Sequence, residues 1–173
     1  DVLLNPGRIE FIDVLRRMGA HIELHQRDTR LGEPVGDISV TSGRLHGTVV
    51  DCHEAIIDEV PALAVAAAFA DGVTEFRGAA EMRVKETDRI ATLEQELSKL
   101  GVGVETRPDG MTVRGGAPRP ATFDSHGDHR IALAAAIAAS AIDGDSRIVG
   151  WDATAVSYPA FADDLARLTG SAP

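Results

Sequence analysis

Apolar residues at every third or fourth position predict three amphipathic helices, at residues 6–19, 90–100 and 161–168. Two further segments, 61–70 and 129–141, consist largely of alanine and larger apolar residues, with almost no polar side chain after the first turn. A helix that is apolar on all sides must be buried. We therefore expect these two helices at the centre of the fold and the amphipathic helices outside them.

Shorter segments between the helices predict strands and turns. Residues 21–25 alternate between polar and apolar side chains, which favours a strand, whereas the polar residues 27–37 predict a loop. The tripeptide Pro108-Asp109-Gly110 predicts the turn of a hairpin. Further strands are predicted at residues 38–40, 48–50, 102–106 and 111–113, and in segments that end at Gly78 and Gly150.

The second half of the chain repeats its own pattern. Each alanine-rich helix is followed by a glycine turn, a strand, a polar segment and an amphipathic helix. Leu63 thus corresponds to Leu133, 70 residues later, and Gly101 to Gly170, 69 residues later. A repeat of this length predicts an α/β (α+β) fold of repeated units, in which short-stranded sheets lie outside buried helices. The expected repeats span about 1–57, 58–127 and 128–173 of a single lobe.

Net charge and composition narrow the class of protein. The 173 residues include 17 Lys and Arg against 27 Asp and Glu, a formal net charge of −10. Such a chain is not expected to bind nucleic acid or anionic membranes, so any anion site must be a local basic pocket. No apolar run is long enough to span a membrane and no signal peptide is visible, which predicts a cytoplasmic protein. The single cysteine, Cys52, is interpreted as a core residue rather than a nucleophile.

Charged side chains gather at the predicted helix starts. The stretch Arg83-Val84-Lys85-Glu86-Thr87-Asp88-Arg89 leads into one helix, and Asp128-His129-Arg130 into another. Acids suit the free N–H groups and the dipole of a helix start, but Lys85, Arg89 and Arg130 do not. An anion bound between them would explain these cations, with Arg89 and Arg130 as a clamp. A solvated, charged helix start is the alternative interpretation from charge alone.

Two acids carry both an ordinary and a chemical interpretation. Asp58 precedes the helix that contains Pro61, where an acid is favoured by the dipole. Glu86 lies beside Lys85 and close to Arg89, so its ordinary interpretation is a surface ion pair. Acids together with cations also fit proton transfer on an anionic substrate.

A cluster of possible metal ligands supports a different hypothesis. Asp124, His126, Asp128 and His129 could bind zinc or manganese, as in a metal-dependent hydrolase. Their spacing is not that of a known structural zinc site. Ser125 or Asp128 as the N-cap of the next helix explains much of the same pattern.

Six motifs together resemble one family. They are similar to the C-terminal part of the 5-enolpyruvylshikimate-3-phosphate (EPSP) synthase family, the enolpyruvyl transferases of the shikimate pathway. The Arg83–Arg89 run is highly specific and separates this family from the related UDP-N-acetylglucosamine enolpyruvyl transferases. The resemblance runs nearly end to end and includes Leu4-Asn5-Pro6, Gly32–Ile38, Ile57–Pro61, Arg83–Arg89, Gly127–Arg130 and Ser157–Phe161.

The resemblance implies a fold of two lobes, each built from three βαβαββ units, with the active site in the cleft between them. This chain resembles most of one lobe. The opposite lobe and the N-terminal segment that completes the present lobe are expected as partners. The chain also begins without Met, as expected for part of a longer protein. A non-catalytic fragment or one subunit of a split enzyme is the alternative to part of a working transferase.

The implied reaction transfers the enolpyruvyl group of phosphoenolpyruvate to the 5-hydroxyl of shikimate 3-phosphate, with release of phosphate and without metal or organic cofactor. By position, Asp58 resembles the base near the shikimate 5-hydroxyl. Glu86 resembles the acid that protonates the methylene carbon of phosphoenolpyruvate, and His129 resembles its neighbour. The proton that is lost during elimination could go to Asp58 or to Glu86.

The same resemblance implies the binding residues. Lys85 resembles the lysine where the two substrates meet, and Arg89 and Arg130 resemble the pair that holds phosphoenolpyruvate. Glyphosate, the inhibitor of the family, is expected in the same cationic pocket. Val156 stands where some members have Lys, and Glu81 where some have Asn, as in a divergent bacterial branch. These two departures leave one phosphate contact and glyphosate sensitivity open.

Overall fold

Two alanine-rich helices lie at the centre of the fold, as the sequence predicts. The computed structural model describes residues 1–170. Helix α2 (Val60–Ala68) and helix α4 (His129–Ser140) pack against each other and are buried along most of their lengths. Their small side chains let the two backbones approach closely, so that burial does not depend on large aromatic residues.

The amphipathic helices surround this pair. They are α1 (Pro6–Arg17), α3 (Arg89–Ser98) and α5 (Phe161–Thr169), close to the predicted bounds. Helix α3 buries Ile90, Leu93 and Leu97, the apolar face expected from their spacing. The core therefore forms where α3 and the strands beside it cover the central helices.

Nine strands form three small sheets among the described residues 1–170. The first sheet has the order β1-β3-β2, the second β4-β5-β7-β6 and the third β8-β9. The strands are β1 (Val2–Leu3), β2 (His21–Arg30), β3 (Glu33–Thr41), β4 (Val49–Asp51), β5 (Val73–Arg77), β6 (Gly103–Arg107), β7 (Gly110–Arg114), β8 (Thr122–Asp124) and β9 (Arg147–Val149).

One βαβαββ unit is complete. It runs from β4 to β7 through α2 and α3, with β4 parallel to β5 and the β6–β7 hairpin antiparallel. The elements β1-α1-β2-β3 share the order and antiparallel pairing of its last four elements, and β8-α4-β9-α5 share the order and parallel pairing of its first four. The topology agrees with repeated units, while the predicted repeat limits stay a prediction.

The predicted loop at residues 27–37 is wrong. Strand β2 extends to Arg30 and β3 begins at Glu33, so these residues form a long hairpin with Leu31 and Gly32 at its turn. Residues 27–32 of this hairpin are exposed, and only Val35 and Gly36 are buried on the β3 side, so its polar sequence lacks the alternation that burial on one face produces. Backbone pairing of β3 with β2 and with β1 contributes to holding the hairpin in place.

Other expectations are confirmed. The Pro108-Asp109-Gly110 segment lies at the turn between β6 and β7. Cys52 is buried in the core, where burial raises the pKa of its thiol to about 11. Within the described part of the chain, no helix has the length and apolar character needed to cross a membrane.

Candidate active site

The starts of three helices meet and bring distant charged residues together. Asp58 lies in the turn before α2, Arg89 is the first residue of α3, and Arg130 lies in the first turn of α4. The Arg89 guanidinium lies 3.4 Å from the Asp58 carboxylate, and the Arg130 guanidinium lies 3.1 Å from the other oxygen of that carboxylate. Arg89 and Arg130 thus converge, with Asp58 between them.

Arg89 is the most deeply buried cation of this group, with only 1% of its side chain exposed. Its Nε donates to Asp128 at 2.7 Å, and its Nη2 donates to Glu86 at 2.5 Å. A buried guanidinium is tolerated only when it is paired and hydrogen-bonded, so these carboxylates are needed to keep it in place. In this state Arg89 is not an open anion clamp, because carboxylates already occupy its donors.

Asp128 holds Arg89 while it caps a different helix. Its side chain is fully buried, accepts from the Arg130 N–H at 2.9 Å as the N-cap of α4, and accepts from the Thr87 hydroxyl at 3.2 Å. Burial alone would raise the pKa of Asp128. The hydrogen bond and charge of Arg89, with the bonds from Arg130 and Thr87, outweigh burial and lower that pKa below its ordinary value.

Arg130 is more open than Arg89. Its side chain is 31% exposed, and its Nη1 donates to the backbone carbonyl of Asp58 at 2.8 Å. Glu59 lies 4.0 Å away on the same side. Burial raises the pKa of Glu59, Arg130 opposes that shift, and the charge of Asp58 adds to it. Arg130 can therefore exchange these acids for an incoming anion at a smaller cost than buried Arg89.

The remaining predicted residues lie close to this group of charges. Lys85 forms an ion pair with Glu81 and lies 3.9 Å from Asp58. Glu86 is 47% exposed, and its free oxygen lies 3.9 Å from Nδ1 of His129. The structure therefore brings all six predicted site residues together, although they come from three separate parts of the sequence.

The arrangement pairs the cations with acids and leaves two of these acids, Asp58 and Glu86, partly open to solvent. An anion that enters must displace Asp58 or Glu86 from the arginines. Such an exchange binds the anion and at the same time releases a carboxyl group next to it. The site can thus combine anion binding with proton transfer by Asp58 and Glu86.

The four candidate metal ligands do not converge. His126 is paired with Glu96, Asp128 with Arg89, and His129 faces Glu86, while Asp124 accepts from the His126 N–H. Across residues 1–170, no group of three or more His, Cys, Asp or Glu side chains is arranged to hold a metal ion. The geometry does not support the hypothesis of a metal-dependent hydrolase, and the alternative of Asp128 as an N-cap is confirmed.

Asp128 and Thr87 also belong to this site, which the sequence did not predict. The sequence pattern indicates Asp128 only as a helix cap or a metal ligand. The signal that could have found it was Arg89 itself, because an arginine at the buried start of a helix requires a buried acid. Val156, the departure from the family pattern, is 84% exposed at the end of a short 3-10 helix, Trp151–Val156.

The fold is that of one lobe of a class of proteins, the enolpyruvyl transferases. The structure of an enolpyruvyl transferase from Streptomyces tendae matches 93% of this chain and 35% of that chain with a TM-score of 0.71 and 22% identity, which shows the fold alone. The EPSP synthase of Acinetobacter baumannii matches 97% of this chain and 40% of that chain with a TM-score of 0.88 and 34% identity.

The chain belongs to the EPSP synthase family. The family model described as EPSP synthase (3-phosphoshikimate 1-carboxyvinyltransferase) matches residues 1–165. Two proteins named 3-phosphoshikimate 1-carboxyvinyltransferase are 48% identical over 171 residues (Synechococcus sp. strain JA-3-3Ab) and 49% identical over 173 residues (Leuconostoc citreum strain KM20). These matches cover 97% and 95% of this chain but 38% and 40% of the relatives. The chain thus spans about two fifths of the length of these relatives.

Proposed function

We propose that this chain is the C-terminal lobe of an EPSP synthase. The complete enzyme, meaning this lobe with the opposite lobe in one chain or two, transfers the enolpyruvyl group of phosphoenolpyruvate to the 5-hydroxyl of shikimate 3-phosphate and releases phosphate. The observation that carries the proposal is the meeting of Asp58, Arg89 and Arg130 at three helix starts, in a chain whose relatives bear the name of this activity.

Binding begins with the exchange of anions on the cations. Phosphoenolpyruvate takes the place of carboxylates at Arg130 and Arg89, with Lys85 contacting the junction between the two substrates. Arg130 is the more exposed arginine and accepts the anion first. Arg89 remains anchored by Asp128 throughout, because that carboxylate is fully buried and cannot swing out to solvent.

Chemistry follows by addition and elimination. Once the substrate anion has displaced Glu86 from Arg89, the protonated Glu86 carboxyl group, next to His129, gives its proton to the methylene carbon, which becomes a methyl group. The 5-hydroxyl oxygen then forms a bond to the adjacent cationic carbon while Asp58 takes the hydroxyl proton, giving a tetrahedral ketal. The bond from this carbon to the phosphate oxygen breaks, and phosphate leaves with the proton that Asp58 had taken. Asp58 or Glu86, each now ionised, then removes a methyl proton to restore the double bond.

Two finer points belong to the same proposal. Glyphosate, which carries anionic groups, would compete for the pocket around Arg89 and Arg130. Exposed Val156 offers no charge for a phosphate contact, so a cation at that position in other family members has no counterpart here. The reaction takes place in the cytoplasm.

The test replaces Glu86 with glutamine in the complete enzyme. The Glu86→Gln variant keeps the shape of the side chain but has no carboxyl proton to give, so turnover should fall by about a hundredfold or more. Substrate binding, measured by calorimetry, should change far less. Phosphate release by the isolated lobe, by the opposite lobe and by their mixture shows whether both lobes are required. Full turnover in Glu86→Gln would refute the role of Glu86.

A further inference from the structure

Glu96 is a buried carboxylate that the proposed chemistry does not use. It lies on the inner side of α3 and is only 3% exposed. A buried carboxylate lowers stability unless hydrogen bonds and countercharges compensate for its lost hydration. Its partners therefore indicate why a glutamate occupies this place among the apolar residues of the helix.

Three donors surround the Glu96 carboxylate. Lys99 Nζ donates at 2.6 Å from the next turn of α3, and the Asp124 backbone N–H donates to the same oxygen at 2.8 Å. The other oxygen lies 2.9 Å from Nε2 of His126. Two of the three partners thus belong to the segment from the last residue of β8 to the residue before α4, here called the 124–128 turn.

The 124–128 turn needs such support because its backbone is unusual. His126 has a φ of 52° and Gly127 a φ of 78°, both in the left-handed region. Glycine adopts this conformation freely, but histidine does so at a cost. On the far side, the Ser125 hydroxyl donates to the Gly150 carbonyl at 2.9 Å. Glu96 and Gly150 therefore hold the turn from opposite sides.

The turn ends at Asp128, which sets the position of Arg89. The Asp128 N–H donates to the Ser125 carbonyl at 2.9 Å, and the Asp128 carboxylate accepts from Arg89 Nε at 2.7 Å. A continuous series of contacts thus leads from Glu96 through the turn to the guanidinium of the proposed anion site. A displacement of the turn would move Asp128, the start of α4 and with it Arg130.

We infer that Glu96 is a positioning residue of the proposed transferase, which holds the 124–128 turn so that Asp128 orients Arg89 for the substrate anion. This inference rests on the proposed function. Glu96 touches neither substrate, and its effect is transmitted through the turn. The effect should therefore concern phosphoenolpyruvate, the substrate assigned to Arg89 and Arg130, more than shikimate 3-phosphate.

The test is Glu96→Gln in the complete enzyme, with Glu94→Gln as matched control. Glu94 lies on the same helix, but its carboxylate bonds to Thr106 on β6, away from the turn. In Glu96→Gln, the KM for phosphoenolpyruvate should rise about tenfold while the KM for shikimate 3-phosphate changes by less than about twofold. The control should change neither. Equal changes for both substrates would indicate a general loss of structure and overturn the inference.

A crystal structure of Glu96→Gln provides a readout that does not depend on activity. The turn should shift, and the Asp128–Arg89 distance should lengthen from 2.7 Å. An unmoved turn would overturn the inference. If the unmodified enzyme is inactive but the turn shifts, the assigned reaction fails while the link from Glu96 to Arg89 stands.

If Glu96→Gln does not fold, a second variant tests the same inference. His126→Asn removes a partner that is 31% exposed, and asparagine tolerates the left-handed backbone. The KM for phosphoenolpyruvate should then rise about threefold. No rise in this well-folded variant would also overturn the inference.

Discussion

The complete unit, β4 to β7, and the final segment, β8 to α5, share a sequence pattern but differ in burial. Helix α3 of the complete unit buries an apolar face and the whole Arg89 side chain, whereas no residue of α5 (Phe161–Thr169) is buried. Leu97 on α3 is 2% exposed, and Leu168 on α5 is 86% exposed. The complete unit has a hairpin, β6–β7, after its amphipathic helix, whereas no hairpin follows α5 among the described residues 1–170.

An amphipathic pattern therefore indicates which face of a helix can be buried, but the neighbouring elements decide whether that face is buried. The same holds for charged side chains. Arg89 and Arg130 both lie in the first turn of a helix, but Arg89 is enclosed by residues of both regions and Arg130 faces the open pocket. One cation is therefore anchored and the other is free to exchange partners.

The largest effect is expected from Asp128→Ala, which removes the ion pair between Asp128 of the final segment and Arg89 of the complete unit. Arg89 would remain buried without its fully buried counterion, which should lower the free energy of unfolding by about 4 kcal/mol. Urea unfolding of the complete enzyme measures the loss. Asp88→Ala is the matched control, because Asp88 also caps a helix, α3, but does not neutralise Arg89. It should cost about 1 kcal/mol, and equal losses in both variants would contradict the assignment.

A smaller effect is expected from truncating one leucine side chain on each of the two outer helices. Leu97→Ala should lower the free energy of unfolding by about 3 kcal/mol, because it leaves a cavity in the core. Leu168→Ala should cost less than about 0.5 kcal/mol, because the side chain is already in solvent. The same urea experiment compares the two. A loss in Leu168→Ala as large as in Leu97→Ala would mean that another part of the complete enzyme covers α5.

The smallest effect concerns pH and Glu59, next to the open arginine. Its raised pKa means that the folded state holds the proton more tightly than the unfolded chain does. The resulting stabilisation is complete below the unfolded pKa of about 4.3 and is lost as pH rises through the folded value. Glu59→Gln should therefore raise the Tm by about 1–2 °C at pH 7 and not below pH 4.

Thermal unfolding as a function of pH measures this difference. Glu54→Gln serves as control, since Glu54 is exposed in the turn before α2. The burial argument for Glu59 would be wrong if both variants followed the same pH dependence.

Much of the fold could be predicted, because hydrophobic periodicity is local. The spacing of Ile90, Leu93 and Leu97 predicts α3, and the uniform apolar character of residues 61–70 predicts a central helix. The hairpin formed by residues 27–37 could not be predicted in this way. Its strands are stabilised by pairing with each other, and their exposed polar side chains leave no periodic signal.

The candidate site could likewise be predicted from the sequence only in part. The sequence by itself determined where helices begin, which of them are apolar, and that cations stand at starts where the dipole disfavours them. Only the tertiary structure decided that Arg89 is enclosed while Arg130 stays open, and that Asp128, 39 residues further along the chain, neutralises Arg89. The physical reason is that burial and ion pairing depend on distances between elements, and no local pattern encodes those distances.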